Sequence, residues 1–427
     1  MVYDRETVIS IMRENFFYTM GCTDPVSVIL ATANAYSVIG GQTSRVKLQL
    51  DKNLFKNAFS TMIPGTNEKG LNLAAAIGLT LNSPSKGLLI SEDITEEKLI
   101  QAKMLLKEIE VEICPYYDTD DIFINVELHT DYGTSICRIE QKHDNITLLK
   151  SNDEVMIESS SDAGESKFLN ELSGNINIKN LLDVVENINL EDLSFLKQSI
   201  DCNMDAAEEG LVKKSGLGLG YKLSELITEG VLEDNLINKA KMYAAGAADA
   251  RMGGLKTKIA GCFGSGNHGI TLLIPLKLLA DHAGCNYERL IKGIVLGGIV
   301  TAHIKKLTGV ITPHCGDIIA TGTGVAAGAA YLLGKDMLSI QKACQLVLAN
   351  LYGVICDGAK PTCSLKIATA VQVGLESAYL ADGLNELYSQ GVVGKDMHET
   401  LCNLDFLIKK AGRATDLHMI QLLETKT

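Results

Sequence analysis

Three cysteines in the C-terminal part of the chain stand where sulfur could do chemistry as well as fill space. Cys356 and Cys363 lie in ICDGAKPTCS, and Cys315 lies in TPHCGD. Gly358 and Pro361 bend the first of these segments, which can bring two sulfurs seven residues apart to one point. Cys315, just ahead of an apolar helix-like run, offers a third thiolate. Soft sulfur donors favour zinc, copper(I) or an iron-sulfur cluster, but the spacing fits neither a CxxC zinc ribbon nor a ferredoxin run. On spacing alone, zinc, a cluster and coincidence all stay open.

A fourth cysteine has a different setting. GCTDP places Cys22 just ahead of a helix, with Asp24 as the expected N-cap and Pro25 at the first helical position. Amides at a helix start stabilise a thiolate, and a cysteine pKa of about 8.5 commonly falls there. Cys22 can therefore serve as base, nucleophile or metal ligand, against the plain alternative of a capped helix with an incidental thiol. GSGNHG, residues 264–269, precedes the apolar run ITLLIPLKLLA, and a Gly-rich turn opening onto a helix exposes amides that suit a carboxylate. Ser265, Asn267 and His268 add hydrogen-bonding side chains there, the alternative being a tight helix-entry turn. The segment lacks the preceding strand and spacing of a dinucleotide fingerprint, and no GxxxxGK[ST] occurs, so nucleotide binding is not expected. Arg251, Lys360 and Lys366 are the cations near these segments that can neutralise a carboxylate or a cluster. His314 joins His268 as a histidine beside a candidate segment. GxSxG and HExxH are both absent, which removes the commonest hydrolase readings.

The elements that must hold these residues follow from periodicity. Residues 5–20 and 25–39 repeat at helical spacing, with Gly40-Gly41 ending the second segment, so a helical hairpin over residues 1–43 is expected to pack on the catalytic domain. Residues 44–165 read as a smaller mixed α/β domain. It should carry strands over 45–50, 111–114, 122–129, 134–140 and 146–150, helices over 67–81 and 95–108, and a hairpin turn at Asp131-Tyr132-Gly133. The polar stretch 151–180 breaks periodicity and contains the linker, set at 166–180. From 181 to 427 nearly everything reads as helix, in Ala- and Gly-rich segments such as AKMYAAGAADARMGG. The fold class is therefore α+β, with a largely helical cluster-binding domain and a smaller mixed domain. No solenoid repeat occurs.

Bulk composition narrows the partners. With 39 Lys and Arg against 52 Asp and Glu the formal charge is -13, which repels nucleic acid and anionic membranes and leaves a small molecule as the expected partner. Residues 318–334 (IIATGTGVAAGAAYLLG) fall short of the ~20 residues of a span and read as a buried helix. Gly324 and Gly328 would admit close approach of another backbone or of a cofactor. The N-terminus lacks the pattern of a secretion signal, so a cytoplasmic protein is expected, with a homodimer as the default assembly. Eleven cysteines without such a signal argue against a disulfide framework. Cys114, Cys137, Cys202, Cys285, Cys344 and Cys402 sit in apolar patterns and read as small hydrophobes.

Taken in order, GCTDP, IPGTNEKG, DARMGG, GSGNHGI, HCGDIIATGTGVAAG and VICDGAKPTCSLK make the chain resemble the L-cysteine desulfidases along nearly its whole length. It is also similar to the alpha region of iron-sulfur L-serine dehydratases. That resemblance implies a 4Fe-4S cluster on Cys315, Cys356 and Cys363, with one iron left for substrate, and Cys22 as proton acceptor. It implies β-elimination from L-cysteine to give sulfide, pyruvate and ammonia, with serine dehydration as the nearest rival and a metal-binding or redox-sensing protein as a non-enzymatic one. Three positions depart from the family pattern: Asp24 replaces a glutamate, His268 a frequent glutamine, and His314 an apolar residue ahead of its cysteine. These bear on the choice of leaving group.

Overall fold

The structure is a computed structural model, and it describes residues 3–58, 61–81, 83–119, 121–159, 172, 176–309, 312–387, 389 and 391–425. Most of the linker expected at 166–180 falls outside these residues. Two apolar cores organise the chain, one beneath a six-stranded sheet and a larger one among helices.

The sheet is built from β2 (Thr43–Asp51), β5 (Glu110–Tyr116), β6 (Phe123–Thr130), β7 (Gly133–Glu140), β8 (Ile146–Ser151) and β9 (Glu154–Glu158), in the order β5-β2-β6-β7-β8-β9. Only the β2–β5 pair is parallel. Alternation sets the buried face: Leu48 lies opposite Val126, Val126 opposite Cys137, and Cys137 opposite Leu149, and all four are buried. Helices α2 (Thr23–Ile39) and α4 (Leu71–Thr80) cover this face. An unbroken buried run from Thr23 to Ala33 leaves the first three turns of α2 without a solvent side, as expected of a helix sandwiched between layers. The Asp131-Tyr132 turn expected from the sequence joins β6 to β7.

The opening helical hairpin is replaced by a different arrangement. Helix α1 (Arg5–Asn15) stops early, and the aromatic run Phe16–Met20 forms strand β1, paired antiparallel with β10 (Lys258–Cys262). Large aromatic side chains fit a pleated ribbon better than a helix turn, and this two-stranded ribbon was not foreseen on either side. Helix α1 packs into the large core and α2 into the sheet core, so the N-terminal segment crosses between them. Short elements complete the region: α3 (Lys52–Ala58), the pair β3 (Met62–Ile63) and β4 (Glu68–Lys69), and α5 (Glu96–Leu105).

The helical body comprises α6 (Ile178–Glu186), α7 (Phe195–Val212), α8 (Leu219–Thr228), α9 (Leu236–Met252), α10 (Gly266–His282), α11 (Tyr287–Thr308), α12 (Thr323–Leu332), α13 (Met337–Leu351), α14 (Cys363–Leu380) and α15 (Met397–Glu424). A π-helical turn over Asp317–Gly322 leads into α12, so the buried helix read over 318–334 is present but begins irregularly. Gly324 serves helix packing: a Cβ there would lie 2.4 Å from the Gly297 carbonyl of α11. Of the six cysteines read as hydrophobes, Cys137 and Cys344 are buried, whereas Cys402 is exposed beside His398. No helix among the described residues is long and apolar enough to cross a membrane.

Candidate active site

Backbone pairing brings the cysteine segments together. The Cys315 amide donates to the Val354 carbonyl at 2.8 Å, and the Cys356 amide donates to the Pro313 carbonyl at 2.8 Å. His314 and Ile355 thus form an antiparallel bridge that sets Cys315 beside the strand-like entry to Cys356. Cys363 opens α14, its amide bonded to the Lys360 carbonyl at 2.9 Å. The loop between them is pinned from the sheet side, where the Thr61 hydroxyl donates to the Ala359 carbonyl at 2.8 Å. Gly358 has φ +97°, and its Cα faces the Lys56 carbonyl so closely that a Cβ would lie 2.7 Å from that oxygen. Glycine is required there on both counts.

Cys315, Cys356 and Cys363 line one cavity of about 90 Å³, and Cys22 lines it too. Burial pushes the Cys363 thiol up to about 12, with the Asp317 carboxyl adding to the effect, and it drives Cys315 upward as well. Metal-free, these two groups are thiols, so a metal that binds them must displace protons. Lys366 donates to the Ile355 carbonyl and to Asp357, both at 2.8 Å. Burial opposes its charge, but the hydrogen bond to the Asp357 carboxylate holds it above the ordinary lysine value. Lys360 does not line the cavity; it sits behind the loop, 2.6 Å from Asp357, and the two lysines together hold Asp357 down at about 2 against its burial.

The GSGNHG segment enters α10 as expected, with Ser265 as N-cap accepting from the Asn267 amide at 3.2 Å. A strand does precede it, contrary to expectation, but β10 pairs antiparallel with β1 and builds no dinucleotide-binding unit. Asn267 Oδ1 accepts from Arg251 Nη1 at 2.8 Å, and Arg251, at the end of α9, is 2% exposed. Arg251 lines the same cavity as Cys22, His268 and Asp317. His268 Nδ1 lies 3.1 Å from the Phe263 carbonyl, so that nitrogen carries the proton and Nε2 faces Asp317 Oδ1 at 3.5 Å. Burial, then the nearby Lys305 ammonium, lowers His268 to about 3, and burial raises Asp317.

Cys22 corrects the reading of its helix. It is itself the N-cap of α2, in extended backbone conformation, and Asp24 lies inside the first turn without capping it. The thiol is no thiolate: burial, and after it the Asp24 carboxylate, pushes it up to about 12. Its S–H donates to Asp24 Oδ2 at 3.3 Å. The helix-start amides are outweighed because the group is 1% exposed and faces a carboxylate.

Four cavity residues escaped sequence reasoning. Lys305 of α11 is buried, and desolvation lowers it to about 8 against the pull of Asp317. Asp317 belongs to the π turn, His143 to the β7–β8 turn, and Asn57 to α3. The only hint was HCGD, whose aspartate lies two residues past a candidate cysteine. Arg251 Nε, Asn57 Oδ1 and His314 Nδ1 are buried without hydrogen-bond partners, and all three residues line this cavity.

Among the described residues, no three His, Cys, Asp or Glu side chains converge to hold a single metal ion. Three cysteine sulfurs on one cavity are the donor type that an iron-sulfur cluster uses, and the neighbouring ammonium groups of Lys305 and Lys366 would offset its negative charge. The donor set fits an iron-sulfur cluster.

Comparison with known proteins bears on the class of chemistry. The family model described as serine dehydratase alpha chain matches residues 85–421, most of the chain and all three cysteines of the loop. The chain belongs to the serine dehydratase alpha chain family. It is 34% identical over 409 residues to a UPF0597 protein of Clostridioides difficile (strain 630), covering 93% of this chain and 94% of that one. It is 32% identical to a UPF0597 protein of Desulfatibacillum aliphaticivorans, with 98% of each chain covered, and 32% identical to one of Clostridium botulinum, covering 98% and 96%. The family is one of lyases. Cys22 and Asn57 lie ahead of the stretch matched by the dehydratase model, whereas the relatives extend across them.

Proposed function

We propose that this protein is an L-cysteine desulfidase, an iron-sulfur-dependent lyase that converts L-cysteine to sulfide, pyruvate and ammonia. The observation that carries the reading is one cavity lined by Cys315, Cys356, Cys363 and Cys22, with an unpartnered donor on Arg251 and an unpartnered acceptor on Asn57. A free amino acid needs that pair, a donor for its carboxylate and an acceptor for its ammonium group. Arg251 takes the carboxylate, aided by the Ser265–Asn267 helix entry, and Asn57 takes the ammonium. Cys315, Cys356 and Cys363 hold the cluster, which when bound supplies a Lewis acid for the leaving sulfur. Cys22 receives the α-proton, and the buried setting excludes water from the reacting carbon. Aminoacrylate then leaves, tautomerises to the imine and hydrolyses. Lys360, outside the cavity, acts on the substrate only by holding Asp357 and thereby the loop. Eleven free cysteines suit a reducing, cytoplasmic setting, and a homodimer is part of the same proposal.

The matched family's description favours one second reading, dehydration of serine in the same cavity. Anaerobically reconstituted protein supplied with each amino acid separates the two. Pyruvate and sulfide from L-cysteine at a higher kcat/KM than pyruvate from L-serine supports desulfidation; efficient turnover of serine alone overturns it.

A further inference from the structure

Among the described residues, the sheet contributes one side chain to this cavity, and it comes from a turn. Between β7 and β8 the chain is held by Glu140 N–H donating to the Asn145 carbonyl at 3.1 Å, and by Asn145 Nδ2 donating back to the Glu140 carbonyl at 3.0 Å. Gln141 takes a left-handed conformation, φ 67°, and its amide is tied to the Ile122 carbonyl of the adjoining segment at 2.9 Å. The turn so fixed carries His143 inward to 5% exposure, with Nε2 at 3.0 Å from Asp24 Oδ1. The other oxygen of that carboxylate accepts the Cys22 S–H. Cys22, Asp24 and His143 thus form a continuous hydrogen-bonded series, and all three line the cavity of the three loop cysteines.

A turn that only joined two strands would keep its polar side chains in water, where they cost nothing. Burying an imidazole on a carboxylate is justified if the carboxylate must be held in one orientation. Cys22 supplies that need. As a buried thiol it cannot take the α-proton until its own proton has somewhere to go, and Asp24 Oδ2 is the acceptor in contact.

We propose that His143 is a positioning residue of the elimination, anchoring Asp24 Oδ1 so that Oδ2 faces Cys22 and stores its proton during turnover. The inference rests on the reading of Cys22 as the base. In the step it implies, the Cys22 S–H proton passes to Asp24 Oδ2 and the electron pair stays on sulfur as the thiolate. The thiolate takes the α-proton, the C–H pair becomes the Cα=Cβ bond, and the Cβ–S bond breaks with its pair leaving on sulfur. The proton stored on Asp24 passes to the departing sulfide, and Asp24 returns to the carboxylate bound by His143. The facing charges on neighbouring elements are Arg251 of α9 and Asp51 at the end of β2, and both stay in place in the variants below.

The test compares His143→Leu and His143→Gln in full-length, anaerobically reconstituted protein of matched iron content and thermal midpoint. The infrared S–H stretch of Cys22 is read by difference against Cys22→Ala, and the kinetics of L-cysteine turnover are read alongside. Leu should lower kcat by about 100-fold, the scale of a lost general acid-base contribution, while KM moves little. It should also shift the Cys22 S–H band toward a weaker hydrogen bond. Gln, which keeps a donor, should recover part of kcat and most of the band position. An unshifted band together with near-normal kcat in His143→Leu overturns the proposal. So does a Gln variant no better than Leu. The band is measurable without turnover, so if the wild type acts on no amino acid, a shifted band still supports the positioning of Asp24 while the proposed activity fails by itself.

Discussion

The pair Lys56 and Asp416 offers a sharp test of how the cysteine loop is held. Lys56 Nζ lies 2.7 Å from Asp416 Oδ1, and the two side chains are 0% and 3% exposed. They join α3, beside the sheet, to the long C-terminal helix α15, and the backbone of α3 also meets the cysteine loop, where Gly358 packs against the Lys56 carbonyl. The Asp416 charge is also felt at His314, next to Cys315. Replacing Asp416 with Asn leaves a buried ammonium facing a neutral amide. Breaking a buried pair from one side costs about 3–5 kcal/mol, a large share of the ~5–15 kcal/mol that holds a typical domain together. Replacing both partners by apolar residues of similar size, Lys56→Met with Asp416→Leu, removes the stranded charge and should restore stability to within about 1–2 kcal/mol of wild type. Urea unfolding followed by circular dichroism, compared at constant m, reads these differences. Iron bound after reconstitution should fall in the single variant and return in the double, because the Lys56 carbonyl packs against the loop at Gly358. A single variant within about 1 kcal/mol of wild type, or a double variant worse than the single, would refute the reasoning.

Serine at any one of Cys315, Cys356 or Cys363 should lower bound iron sharply, whereas Cys22→Ala should keep iron and lose turnover, as read by iron analysis and a pyruvate assay; iron loss in Cys22→Ala would make that residue a ligand. Alanine at Gly316 would place its Cβ 2.8 Å from His268 Nε2 and 3.2 Å from Lys305 Nζ, so kcat/KM should drop at least tenfold, about 1.4 kcal/mol of transition-state binding, with little change in thermal midpoint. His303 is buried with both ring nitrogens unpartnered, and burial lowers it to about 4. The folded state therefore binds fewer protons there than the unfolded one, whose histidine titrates near 6.5. Stability is full above that pH and declines as pH falls toward 4, by about 3 kcal/mol for this residue, and His303→Leu should flatten the decline in urea midpoints measured across that window.

Sequence periodicity located five of the six strands of the sheet to within one or two residues, because alternation such as Val46, Leu48 and Leu50 reports a one-sided burial that the fold requires; it missed the edge strand β9, which lies in the polar stretch read as aperiodic and whose residues are all exposed. It mistook Phe16–Met20 for helix because the partner strand, β10, lies more than two hundred residues away and no local pattern announces the pairing. Cys315, Cys356, Cys363, Arg251, Ser265, Asn267 and His268 could be picked out from the sequence since each lies within two residues of a glycine or proline that can shape a turn. The protonation of Cys22 was not, because a helix-start motif carries no information about burial or about the side on which Asp24 lies. Lys305, Asn57 and His143 were invisible for a related reason: one reads as the polar stripe of a helix, and the others become site residues only when the sheet is laid against the helical body.

Iron and acid-labile sulfide, measured in anaerobically purified protein together with the products formed from L-cysteine, address the central claim directly. The cavity of Cys315, Cys356, Cys363 and Cys22 predicts iron and sulfide in equal amounts, lost together in the loop-cysteine variants, and pyruvate released with an equal quantity of sulfide. Zinc in place of iron, or an iron-loaded protein that yields no sulfide from L-cysteine, would contradict it.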